Sequence, residues 1–143
     1  MRLGRRTVTA LLGIVLIFQG ALVCEARSVF VIHAQNTVEN LNDVNLAGII
    51  KGEVRYWENG DPTRLAFSSD AETIKCLESE SQIPFGRLKN IWTRLAFTGR
   101  GFKAKRFQND SDLFLFMKKN PGALACIPES KVQDWMTIVP ISR

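Results

Sequence analysis

The sequence predicts an α/β domain, with a mostly parallel or mixed sheet flanked by helices. Two runs, Val29–Ala34 and Ala123–Ile127, are continuously apolar and rich in strand-forming residues. That is the pattern of strands buried on both faces. Between them lie segments with apolar residues at helical spacing, separated by Gly and Pro punctuation. Strands that alternate with helices are the pattern of a sheet that is at least partly parallel.

Each element has its own local signal. After the first strand, Asn42 is placed to cap a short helix carrying Val44, Ala47 and Ile50, which Gly52 stops. Trp57-Glu58-Asn59-Gly60-Asp61-Pro62 is turn chemistry, and Thr63 to Phe67 resumes an extended pattern. Ser69 and Glu72 have capping-box spacing and predict a helix from about Asp70 to Glu78. Pro84 opens a longer helix with Phe85, Leu88, Ile91, Trp92 and Leu95 on one side, closed by Gly99. Lys103 to Phe107 reads as a short strand. Asn109 and Ser111 are both candidate caps for a helix over Asp112–Asn120, and Pro121-Gly122 ends it. Thr137 to Ile141 reads as the last strand.

The first 26 residues read differently from the rest. Arg2, Arg5 and Arg6 precede an uncharged apolar run from Val8 to Val23, which closes on Cys24-Glu25-Ala26. This is the plan of a secretory signal peptide, too short and wrongly flanked for a good membrane span. The expected mature protein starts near Arg27, is periplasmic or secreted, and retains about 117 of the 143 residues. That length supports one core. Without Arg2, Arg5, Arg6 and Glu25 the net charge falls from +5 to about +3. So mild a positive charge is far from the profile of a nucleic-acid binder. No second apolar run approaches twenty residues, so the mature domain is not expected to span a membrane.

Cys76 and Cys126 remain after removal of the leader. In an oxidising compartment such a pair is a candidate disulfide, closing a loop of about 50 residues and adding roughly 4 kcal/mol in the chain-entropy treatment. The alternative is two buried thiols that never meet. Spacing excludes the usual zinc patterns, because there is no Cys-x-x-Cys and His33 is the only histidine. No cofactor-binding motif is present, nor a Gly-x-Ser-x-Gly elbow or a P-loop. Asp110 with Asp112, and Glu78 with Glu80, are spaced so that they point to different sides of a helix. Binding is therefore expected rather than catalysis.

The order of several short motifs resembles the periplasmic substrate-binding proteins of the phosphate type. The motifs are Leu41-x8-Ile50-x-Gly52-x4-Trp57-x2-Gly60, then Trp92-x4-Phe97-Thr98-Gly99-Arg100-Gly101, then Asn120-Pro121-Gly122-Ala123. The resemblance runs from about Val29 to Glu129. It implies a single periplasmic-binding-protein-like lobe over residues 27–143, and a phosphate-like anion as ligand. Two segments depart from the family. Its Arg-Ser-x-x-Ser-Gly-Thr stretch is replaced by Phe67-Ser68-Ser69-Asp70-Ala71-Glu72-Thr73, and its Gly-Tyr by Ala125-Cys126. Full carriers also have two lobes.

Two candidate anion sites follow. Ser68 and Ser69 precede the helix at Asp70, whose free N–H groups and dipole favour an oxyanion, with Arg64 as a candidate guanidinium. The other reading of these residues is a plain cap, with Asp70 and Glu72 satisfying the dipole. The second site gathers Thr98 and Arg100 with Arg94, Lys103, Lys105 and Arg106, for an anionic ligand, a lipid headgroup or an acidic partner surface; its other reading is a solvated loop. Two functions stay open: a small-anion-binding protein linked to phosphate uptake or sensing, or a ligand-free module that docks on an envelope protein. For an anion binder, a homodimer or a complex is the expected source of a second lobe. Trp57 is read as a loop anchor, Trp92 as core and Trp135 as a C-terminal lid. The apolar helix Leu113–Met117 is read as core, and any apolar face left over would mark a partner surface.

Overall fold

The computed structural model describes residues 27–36, 41–99 and 104–142. The leader read over residues 1–26, together with Arg100, Phe102 and Lys103, lies outside the described residues, as do the side chains of Asn42 and Val44.

Five strands form one mixed sheet in the order β4–β3–β5–β1–β6. They are β1 (Ser28–His33), β3 (Arg64–Ser68), β4 (Ala104–Phe107), β5 (Ala123–Pro128) and β6 (Met136–Ile138). β3 runs parallel to both β4 and β5. β1 is antiparallel to β5 and β6, from Ser28 opposite Pro128 to His33 opposite Met136. A separate parallel pair joins β2 (Leu41–Asn42) to β7 (Ile141–Ser142). The single strand expected over Thr137–Ile141 is thus two pieces: Val139 N still donates to Phe30 O at 2.9 Å, and Pro140 separates β6 from β7.

Alternation along the strands splits the core in two. Phe30, Ile32, Leu65, Phe67, Leu124 and Cys126 face one way. Against them pack α1 (Asp43–Lys51), α2 (Ala71–Ser81) and α3 (Phe85–Phe97), through Leu46, Ile49, Ile50, Leu77, Leu88 and Trp92. Val31, Ala66, Ala123, Ala125 and Ile127 face the other way, onto Leu113 and Met117 of α4 (Asp110–Lys119). Small residues on this second face let α4 sit close to the sheet.

Three helix boundaries show which local signals win. α1 ends where Gly52 takes φ 79°, a conformation glycine adopts without strain. α3 follows Pro84 and has its first N–H served from outside: the Glu78 carboxylate accepts from Phe85 N at 2.7 Å. α4 is capped by Asn109, whose Oδ1 accepts from Asp112 N at 2.9 Å, so Ser111 is not the cap. α2 runs past Glu78 to Ser81, whose hydroxyl donates back to Leu77 O at 2.7 Å. It stops at Gln82, in the left-handed region at φ 57°.

Two tryptophans tie loops to this frame. Trp57 Nε1 donates to Gly122 O at 2.7 Å, anchoring the turn before β3 against the turn before β5. Trp92 Nε1 donates to Ile50 O, also at 2.7 Å, joining α3 to the end of α1.

Candidate functional site

The parallel strands β3, β4 and β5 end together on one edge of the sheet, and the polar residues that follow them converge there. In open α/β sheets this carboxyl edge is where ligands bind. β3 supplies Ser68, Ser69 and Asp70; β4 is followed by Gln108, Asn109 and Asp110; and Lys131 lies just after β5.

The centre of this edge is an ionic cluster. Ser68 is only 5% exposed, and its Oγ donates to Asp70 Oδ2 at 2.7 Å. Lys131 Nζ lies 3.2 Å from Asp70 Oδ2 and 3.2 Å from the Asp110 carboxylate, bridging the starts of α2 and α4. The Ser68 hydroxyl holds the Asp70 carboxyl below its usual range, with Lys131 adding to the effect against partial burial. Partial burial of Lys131 opposes its charge, but Asp110 and Asp70 outweigh it and hold the ammonium above its usual range.

Ser69 does not cap α2, contrary to the capping-box expectation. Its N–H donates to Phe107 O at 3.0 Å, which extends the pairing of β3 with β4 and turns the hydroxyl toward Gln108 Oε1 at 3.3 Å. Asp70 becomes the N-cap residue, and no side chain caps the helix there. The first N–H groups of α2 therefore point into the same edge.

The predicted site residues separate. Arg64 starts β3 and hydrogen-bonds Asn120, at the far end of α4. At about 3.3 Å per residue it lies roughly 13 Å along the strand from Ser68, too far to share a ligand with it. Thr98 follows α3 near the start of β4, and its hydroxyl donates to Leu95 O at 3.2 Å. It too is remote from the carboxyl edge, and Arg100 lies outside the described residues. Among the described residues of the basic run, Arg106 reaches the edge: its Nη2 donates to Ser69 O at 3.4 Å while the guanidinium lies 6.0 Å from the Phe85 ring. Lys105 points to the opposite face, over Phe107 and Phe116. The sequence pairs Asp110 only with Asp112, and Lys131 is unmarked there except by its position just beyond a buried strand; its partners Asp70 and Asp110 are distant along the chain.

The remaining polar and aromatic candidates have structural partners. His33 Nδ1 accepts from Gln35 N at 3.1 Å, and its ring lies 5.4 Å from that of Trp135. Trp135 also meets Phe114 edge-on, under Lys118. Leu113 and Met117 are core, while Leu115 is exposed. Cys76 on α2 packs against the cluster that holds Cys126. The neighbouring Cys76 thiol, then burial, pushes the Cys126 thiol well above the usual thiol range.

No protein-family model and no curated protein sequence matches the chain. Solved structures do match it. An ABC-type phosphate transport receptor from Vibrio cholerae superposes with a TM-score of 0.58 at 16% identity, covering 80% of this chain and 46% of that one. A phosphate ABC transporter substrate-binding protein with bound phosphate, described as putative, from Clostridium perfringens gives 0.55 at 17% identity, covering 80% and 44%. PstS from Borrelia burgdorferi gives 0.56 at 12% identity, covering 80% and 47%. This chain thus has the α/β fold of a lobe of phosphate-type substrate-binding proteins, and spans under half the length of each. Among the described residues no helix is long and apolar enough to cross a membrane.

Proposed function

We propose that this chain is an exported, non-catalytic binding lobe that takes a small oxyanion of the phosphate class at the carboxyl edge of its sheet. The reading rests on a buried hydroxyl, Ser68, set at the uncapped start of α2 where three parallel strands end. The free N–H groups of the helix and its dipole supply neutral and partial positive donors. Ser69, Arg106 and Lys131 border the same edge and supply a hydroxyl and two cations. The fold shared with phosphate receptors supports the same ligand class. Export rests on the leader read over residues 1–26. A single lobe covers a ligand on one side only, so a second copy or another protein completes the enclosure.

The test is a thermal-shift titration with inorganic phosphate, sulfate and small carboxylates. Ligand at 100 times its dissociation constant adds about 2.7 kcal/mol, several degrees for a domain of this size. A saturable shift that disappears in Ser68→Ala and weakens in Arg106→Ala supports the site.

One observation favours a second reading. The Asp70 carboxylate already sits on Ser68 and Lys131, where an oxyanion would bind. With that place taken from within, the lobe is a ligand-free module for an envelope partner. No shift with any anion, in the wild type or in Asp70→Asn, decides for it.

A further inference from the structure

We propose that Cys76 and Cys126 form a disulfide that fastens α2 to the central strand β5. Alternation along β5 aims Leu124 and Cys126 at the helical layer that holds α2, while Ala123, Ala125 and Ile127 face α4. On α2, Thr73 and Leu77 are buried against that layer, and Cys76 lies on the same side, packed against the cluster that contains Cys126. The α2 and β5 backbones approach within 8 Å between Cα atoms. Cys76 and Cys126 thus meet within one packed cluster, on neighbouring elements. Forming the bond therefore needs a local adjustment, with no rearrangement of elements.

The chemistry needs an external disulfide as oxidant, either oxidised glutathione or a dithiol–disulfide exchange protein. Cys76 is half-buried whereas Cys126 is fully buried, so Cys76 reacts first. Its thiolate attacks one sulfur of the donor, forming a mixed disulfide and expelling the other sulfur as a thiolate. Cys126 then gives up its proton to water or to that thiolate and attacks the Cys76 sulfur, releasing the second donor thiol. Two protein thiols are oxidised, one donor disulfide is reduced, and two protons pass to the donor thiols.

The experiment uses the full chain, equilibrated with excess oxidised glutathione, denatured, alkylated and digested with trypsin without reduction. The expected product is one cross-linked pair joining Cys76–Arg87 to Asn120–Lys131, which separates on reduction. Oxidation should also raise the melting temperature by about 10 °C or more, the entropic benefit of closing a loop of roughly 50 residues. Cys76→Ser keeps the packing and should lose both the cross-link and the oxidation-dependent rise. Recovery of both peptides alkylated, or of glutathione on Cys76 with Cys126 free, overturns the proposal. A cross-link that leaves the melting temperature unchanged overturns the claim that it fastens α2 to the sheet.

Discussion

Asp70→Asn keeps the shape of the side chain at the start of α2 and removes its charge. In the wild type the carboxylate lies 2.7 Å from Ser68 Oγ and 3.2 Å from Lys131 Nζ. An oxyanion taken by the first N–H groups of α2, beside its N-cap residue Asp70, sits roughly 5 Å from that carboxylate, where two unit charges repel by about 0.8 kcal/mol in water and about 3 kcal/mol at an effective dielectric of 20. Asp70 has 45% of its side chain exposed, so the lower figure applies. For a phosphate carrying nearly two charges the repulsion is about 1.5 kcal/mol. Removing it should tighten phosphate binding by roughly tenfold. Lys131, released from one partner, adds to the gain. The stability lost with a partly exposed ion pair is smaller, about 0.5 kcal/mol, since Asn still accepts from Ser68. Isothermal titration with inorganic phosphate at low and high salt measures the effect, and the gain should shrink as salt screens it. An unchanged or weaker affinity in a folded Asp70→Asn protein would show that the anion is not held at the start of α2.

Three further outcomes test the frame around the site. Trp92→Phe removes the donor to Ile50 O and should cost about 1–3 kcal/mol in urea unfolding, because a buried carbonyl loses its partner. Gly122→Ala places a Cβ 2.7 Å from the Pro62 carbonyl oxygen, backbone against backbone, and should cost about 1–3 kcal/mol by the same assay. The Asp70–Lys131 pair stabilises only while both groups are charged. The folded Asp70 pKa is depressed, so its contribution is present above the unfolded value and disappears as pH falls through the lower folded one, below about pH 4. The folded Lys131 pKa is raised, so its contribution is complete below the unfolded value and disappears as pH rises through the folded one, above about pH 10.5. Lys131→Met should remove the pair's share of stability between these limits, and differ little from wild type outside them, in melting curves taken across pH.

The elements were legible because their signals are local. Val29 to Ala34, Ala123 to Ile127, the Pro84 and Gly99 boundaries and the Asn109 cap each depend on residues within a turn or two of one another. The capping box failed for a reason outside that range: Ser69 is drawn into pairing beside Phe107, whose own position depends on the β3–β4 register. Arg64 misled in the same way. It is four residues from Ser68 in sequence, and an extended strand turns that short separation into opposite edges of the sheet. Conversely Lys131, distant in sequence from Asp70, is adjacent to it in space. The strands were readable, but which residues meet at their ends depends on strand order and direction, and those come from long-range pairing.

That long-range pairing bears on how the chain reaches its fold. β1, near the start, finds both of its sheet neighbours in β5 and β6, with Ser28 set against Pro128 and Val31 against Ile138. Closing so large a loop costs entropy before any contact repays it, which places the protein among slow-folding topologies. β3 and β4, joined through α2 and α3, can pair earlier, but β1 stays without a neighbour until the last quarter of the chain is available. During that interval the apolar run of β1 is exposed, and a chain halted before Ala123 keeps it exposed indefinitely. Such a fragment is expected to aggregate or be degraded instead of persisting as a half-formed lobe.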